Sequence, residues 1–258
     1  MKRRPAVIGV ILALILSLGS CSAKPSASPS APPSVSKLPK SEAVFSGKVM
    51  AVYDSTFLLA GTGAADLYMV SAKTPIIDAE ENPTDGTALK AGMTVDIGYS
   101  GTVLESYPAQ LGALSYIKIT GQEDDLVGFY REIVSDLWNV DEGLNSDLSV
   151  LAFDLSQVTN LSDAEKSALI YLVSGEHAAA GVAGTFDELC REGYIDKDKL
   201  LFETGLLFEF ELSDVTEASF TFTVSKWRSG DGAYIFHDCR AQKTSDGWSY
   251  TIGSEMIS

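Results

Sequence analysis

From Phe202 onward the apolar residues recur at every second position, and this period constrains the fold more than any other feature of the chain. Leu206, Phe208, Phe210 and Leu212 share one parity, and Ala218, Phe220, Phe222 and Val224 alternate with Ser219, Thr221, Thr223 and Ser225. Tyr234 to Ala241 and Trp248 to Ile252 complete a set of four segments. A period of two turns one face of a strand to a core and the other outward. The segments are divided by Ser213-Asp214, Ser229-Gly230-Asp231-Gly232 and Ser245-Asp246-Gly247, which are turn sequences. Connections this short join antiparallel neighbours. The expectation is a four-stranded antiparallel meander.

Ahead of it the period is helical. Leu126, Phe129, Tyr130, Ile133, Leu137 and Trp138 form a stripe at spacings of three and four, with Asp124 and Asp125 placed to cap it. Leu148 to Leu155 alternates at Leu151, Phe153 and Leu155 and reads as a strand. Ser162-Asp163-Ala164-Glu165 is a capping box that opens a helix running to about Ala180, and Thr185-Phe186-Asp187-Glu188 is a second box with Gly193 as its stop. Helices followed by an antiparallel meander make residues 122–258 an α+β domain with the helices on one face of the sheet. That order is similar to the cone fold of the nuclear-transport-factor-two and ketosteroid-isomerase superfamily. The resemblance is one of architecture and implies a pocket between a curved sheet and the helices. It carries over no site residue.

Residues 43–121 read differently. Val44–Tyr53, Thr56–Leu59, Asp66–Ala72, Met93–Tyr99, Thr102–Glu105 and Leu114–Thr120 are short strand segments broken by Asp54-Ser55, Asn82-Pro83, Asp85-Gly86 and Ser100-Gly101, with no long helical period between them. This predicts a small all-β barrel. Phe45-Ser46-Gly47-Lys48-Val49, Leu89 to Val95 and Gly101 to Gln110 resemble the YobA-like β-barrel module of secreted bacterial lipoproteins. The resemblance implies a partly open five-stranded barrel of oligonucleotide-binding (OB-like) topology and brings no chemistry with it. Within this module Ser106-Tyr107-Pro108-Ala109-Gln110 reads as an extended loop, or as a barrel rim where Tyr107 and Gln110 meet a ligand. Asp78, Glu80 and Asn82 suggest calcium, but the sixth and twelfth positions of that run are Pro83 and Leu89 where an EF-hand loop needs Gly and Glu.

The N-terminus gives an address. Lys2, Arg3 and Arg4 precede an apolar run from Ala6 to Gly19, too short to span a bilayer comfortably and suited to a signal peptide. The following Leu18-Gly19-Ser20-Cys21 is similar to the lipobox of bacterial lipoproteins. The resemblance implies removal of residues 1–20, lipid (diacylglyceryl and palmitate-type acyl chains) on the Cys21 thiol, and a protein held on the cell membrane facing outside the cytoplasm. Residues 21–42 then form a disordered tether: of the 21 residues from Ser22 to Glu42, seven are Ser and five are Pro.

Charge narrows the function classes. The chain has 19 basic against 35 acidic residues, and residues 122–258 hold nine basic against 26 acidic. Nucleic acid is excluded as a partner, since its phosphates require a basic stripe. Solubility accounts for the excess, and so would a cationic partner or a Ca²⁺ site. No nucleophile elbow, phosphate loop or zinc motif is present, so no metal or cofactor is expected. Three groups remain. Cys190 and Cys239 are an even pair in an exported chain and read either as a disulfide or as two buried thiols. His237 reads as a structural histidine or as a pocket acid/base with Asp154 or Glu209. The expectation is a lipid-anchored extracytoplasmic binding or interaction protein, its partner an envelope protein, a glycan or a small ligand. The alternative is an enzyme or small-ligand pocket protein using a cavity in the cone-like domain.

Overall fold

The computed structural model describes residues 38–61 and 66–258. Cys21, the signal segment and all but the last residues of the tether lie outside the described residues. The described chain is mostly β, with two large sheets and three α-helices.

The first half contributes β1 (Ala43–Val52), β2 (Thr56–Gly61), β3 (Leu67–Ser71), β4 (Ile76–Ile77), β5 (Pro83–Thr84), β6 (Met93–Tyr99), β7 (Val103–Leu104), β8 (Gln110–Leu111) and β9 (Leu114–Gln122). The sheet runs in the order β3-β2-β1-β6-β9-β4-β5, with β7 and β8 forming a separate hairpin. It is an open path of seven strands, so the expected barrel does not close among the described residues. Its concave face gathers Phe45, Val49, Phe57, Leu59, Tyr68, Val95, Ile97 and Ile117. Two glycines are required here by close packing. A Cβ at Gly61 would lie 2.3 Å from the Phe45 ring, and one at Gly98 would lie 2.2 Å from the Tyr116 ring. In β1 a bulge falls at Met50, between the pairs Val49–Leu59 and Ala51–Leu58. Met50 alternates from Val49 into the second core, and the extra residue keeps Ala51 on that same face.

The second half runs α1 (Leu126–Asn139), β10 (Val150–Asp154), α2 (Asp163–Glu176), β11 (Ala180–Ala183), α3 (Phe186–Glu192), β12 (Gly205–Ser213), β13 (Ser219–Ser229), β14 (Gly232–Thr244), β15 (Gly247–Thr251) and β16 (Ser254–Ile257). Each helix begins as its sequence dictates. The Asp125 carboxylate accepts from the Gly128 amide, and both capping boxes close reciprocally. Gly193 ends α3 at φ 83°, the left-handed region that favours glycine.

The sheet differs from a four-stranded meander. Its order is β11-β10-β12-β13-β14-β15, with β16 also on β14. Strands β12 to β15 are antiparallel neighbours, but β10 pairs parallel with both β11 and β12. Helices α2 and α3 are therefore crossover connections, which parallel strands need and hairpins do not. Helix α2 stops at Glu176, short of Ala180, because Ala178 turns left-handed at φ 52° and the chain enters β11. Gly181 lets that strand close on α2, since a Cβ there would lie 2.6 Å from the side chains of Ile170 and Ser174.

Helices α1 and α2 lie between the two sheets. Met50, Leu58, Ala60 and Leu67 from the first sheet share one core with Tyr130, Ile133 and Leu137 of α1, Leu169 and Val173 of α2, and Phe153, Phe208, Phe210, Phe220 and Phe236 of the second sheet. Each large side chain so buried contributes about 1.5–3 kcal/mol. A smaller cluster, Ala152, Leu189, Ile195, Phe202 and Leu207, holds α3 on the outer face of the second sheet. The described residues belong to one compact unit.

Candidate functional site

Where the first sheet meets the start of α2, the apolar contact gives way to a polar cleft of about 610 Å³. The strands build one wall. Ser46 and Lys48 on β1 alternate with Phe45 and Val49, so they project from the face away from the sheet's own core. Thr94 and Asp96 do the same on β6. The Ser46 hydroxyl donates to Asp96 at 2.6 Å, and Thr120 donates to Thr94 at 3.0 Å. The α2 N-terminus, Ser162 to Glu165, builds the other wall.

A half-buried charge cluster closes the floor. Lys48 Nζ lies 2.8 Å from Glu165 Oε1 and 3.4 Å from Glu123 Oε2. Burial pushes the Glu165 carboxyl up, but the Lys48 ammonium and the Ser162 amide and hydroxyl outweigh it and hold the group below the usual range. Glu165 thus both caps its helix and ties it to the first sheet. At the rim, Ser167 of α2 donates to Asp66 at 3.0 Å. The lining holds the hydroxyls of Ser46, Thr94, Thr120 and Ser162, five carboxylates and a single ammonium. Sequence reasoning missed this site. Glu165 was legible only as a cap, and the one signal for Lys48 was a charged residue inside an otherwise well-formed strand.

The residues singled out from the sequence fall elsewhere, and they do not converge. Asp154 and Glu209 are cross-strand neighbours on the outer face of the second sheet. His237 stands on that face too, but on β14, three strands from β10, roughly 14 Å away at sheet spacing. It is 42% exposed and its Nδ1 lies 3.1 Å from Asp238. A bulge explains this placement. β14 pairs Phe236 with Val224 but Cys239 with Phe222, so one residue opposes two and the parity reverses. Phe236, Cys239 and Ala241 therefore face the core, and His237 faces out. Among the described residues His237 and the two carboxylates therefore form no shared site.

The thiols are also apart. Cys239 lies in the core shared with α1 and α2, whereas Cys190 packs on the opposite face beside Leu189 and Phe202. With the sheet between them both are free, and the disulfide reading is corrected to two separate thiols. Burial pushes the Cys239 thiol up to about 11. Tyr107 is exposed and stacks edge-on against Tyr171 of α2, while Gln110 bonds to Ser106. Asp78 accepts from the Asn82 backbone and side chain, closing its loop on itself. No group of acidic, His and Cys side chains able to hold a metal occurs among the described residues.

A scan of protein-family models, a search of curated proteins and a search of solved structures find no match for this chain.

Proposed function

We propose that this is a lipid-anchored extracytoplasmic binding protein that holds a neutral, hydroxyl-rich ligand, an envelope glycan, in the cleft between the first sheet and α2. One observation carries the reading. The space between the curved second sheet and its helices, where a cone-like fold would keep a pocket, is filled by Phe129, Tyr130, Phe153, Phe208, Phe210 and Phe220. Recognition is thereby left to the surface, and this cleft is a polar concavity that both halves build. Its chemistry favours a polyol. Hydroxyls and carboxylates accept from vicinal sugar hydroxyls, and five carboxylates against one ammonium repel anionic polymers. In the same reading the first sheet serves as a partly open OB-like module, and Cys21 with its tether sets the cleft above the membrane.

The test has two arms. Binding of soluble envelope glycan fragments to the full chain should be saturable, and Thr120→Trp, which fills the cleft from an exposed position, should abolish it. Binding that survives Thr120→Trp would move the site. Separately, Cys21→Ser should abolish labelling by a fatty-acid analogue, and unchanged labelling would remove the anchor.

A further inference from the structure

A second pocket, which shares Asp163 with the cleft, opens along α2. It has a volume of about 330 Å³ and lies at the carboxyl ends of the parallel strands β10 and β11. Ligand crevices in parallel sheets form at such ends, where the crossover helices diverge. Asp154, the last residue of β10, lines it together with Ser156, Lys166, Ser167, Thr185 and Glu188.

Asp154 is the unusual member. Only 8% of the residue is exposed. Oδ1 accepts from the Ser156 amide at 3.0 Å, while Oδ2 accepts no hydrogen bond among the described residues and opens to solvent in the pocket. A buried carboxylate is ordinarily paired with a cation or fully hydrogen-bonded, because burial alone costs several kcal/mol. Here its cross-strand neighbour has the same sign. Glu209 stands beside it on β12, and burial, then Asp154, then Glu211 push its carboxyl up. Lys166 reaches the rim but forms no ion pair among the described residues. Asp163, also on the rim, adds to the negative field, and residues 122–258 carry nine basic against 26 acidic groups.

We propose that this pocket binds a small organic cation, an alkylammonium or guanidinium, whose charged nitrogen takes the open oxygen of Asp154. The cation supplies the missing donor and relieves the repulsion between Asp154 and Glu209. The Ser167 and Thr185 hydroxyls stand within the same lining to accept its remaining hydrogens. Asp154, which anchors the cation, does not line the cleft, so the outcome here leaves the glycan reading untouched.

The probe is agmatine, which carries both cationic groups. It is titrated calorimetrically into the full chain in detergent, at about 0.15 M salt so that exposed charges are screened. One saturable site is expected. Asp154→Asn should weaken it at least about tenfold, equivalent to 1.4 kcal/mol. Asp246→Asn, an equal charge change in the exposed β14–β15 turn, should leave it unchanged. Lys166→Gln should tighten binding about threefold by removing a competing cation, a change of under 1 kcal/mol. If Asp154→Asn does not fold, Glu209→Gln takes its place and should weaken binding by removing the second carboxyl. Absence of a saturable site overturns the proposal. So does equal binding by the Asp154 and Asp246 variants, and so does displacement of agmatine by equimolar Ca²⁺, which would make this a metal site.

Discussion

Lys226 is the residue on which the corner between α1 and the second sheet depends, and replacing it by Met tests that dependence. It points into the core from β13 and is 0% exposed. Its ammonium donates to the Val140 carbonyl at 2.6 Å, to Asn145 Oδ1 at 3.1 Å, and to the Trp138 and Asp141 carbonyls at 3.3 Å each. Trp138 and Val140 end α1, whose last carbonyls have no partner within the helix. The lysine therefore caps a helix C-terminus from a different element, with no carboxylate bonded to it. Two effects oppose each other. Burial pulls the ammonium down to about 8 from an ordinary value of 10.5, a penalty of about 3 kcal/mol on the charged form. Against this stand the Val140 carbonyl and Asn145 Oδ1, each costing about 1–3 kcal/mol if left unpaired, whereas the Trp138 and Asp141 carbonyls keep Asn145 Nδ2 and the Leu144 amide as donors. Met keeps the volume, removes the penalty and strands these two acceptors, so the acceptors win narrowly and Lys226→Met destabilises by about 1 kcal/mol.

The pH dependence separates this account from a packing defect. The folded-state value lies below the unfolded one, so between pH 8 and 10.5 the unfolded chain holds the proton that the folded chain has released. Wild-type stability therefore gains from this group as pH rises through that window, by up to about 3 kcal/mol, and is level in it below pH 8. Urea unfolding of both proteins at pH 7 and pH 10 reads the difference directly, since every other titrating group cancels. The gap should be about 1 kcal/mol at neutral pH and wider at pH 10. A gap under about 0.5 kcal/mol at pH 7, the scale of an ordinary surface change, would refute the capping role. A gap that does not widen would refute the depressed ammonium.

Other outcomes follow from single contacts. Trp138 stacks on His177 with ring centroids 3.6 Å apart, and burial lowers the imidazole below 6.5 despite Glu176. Tryptophan fluorescence should fall as pH drops below that value, and His177→Gln should erase the step; stability linked to this histidine is present above pH 6.5 and lost on acidification. Glu165→Gln removes the partner of Lys48 and weakens a helix cap, and should cost about 1–2 kcal/mol in denaturant titration. Denatured protein without reductant should alkylate at both Cys190 and Cys239, whereas in native protein buried Cys239 should stay unmodified. Limited proteolysis should cut within residues 22–42 before reaching α1.

The parts of this fold that were legible in the sequence are those where a local rule and the tertiary environment agree. Both capping boxes, the Gly193 stop and the Asp125 cap are chemistry within four residues, and the structure realises each. The alternation along Ser219–Ser229 survives because α1 covers one face of β13 while the other faces outward. Failure begins where a partner distant in sequence decides. Ala180–Ala183 has one β-branched residue in four, and it is a strand because β10 offers a free edge and Gly181 fits under α2. The first sheet has the strand count of a barrel, but its far face is taken by α2, an element from the other half of the chain.

The candidate sites show the same limit. Counting twos along β14 puts His237 on the face of Cys239, and a single bulge at Asp238, left-handed at φ 54°, reverses the parity. A bulge is set by the strand opposite, and nothing in Phe236-His237-Asp238-Cys239 announces it. Lys48 and Lys226 were legible only as charges inside strands, a placement that period-two reasoning assigns to solvent. One closes the floor of the cleft and the other caps α1 from inside the core. In a chain this acidic a cation drawn into a strand is scarce, and both are spent at junctions between elements. The converse holds for Asp154, a buried carboxylate to which no cation has been given. Where the protein neutralises two junctions from its own few lysines and leaves one buried acid open to a pocket, the missing charge is the feature to pursue.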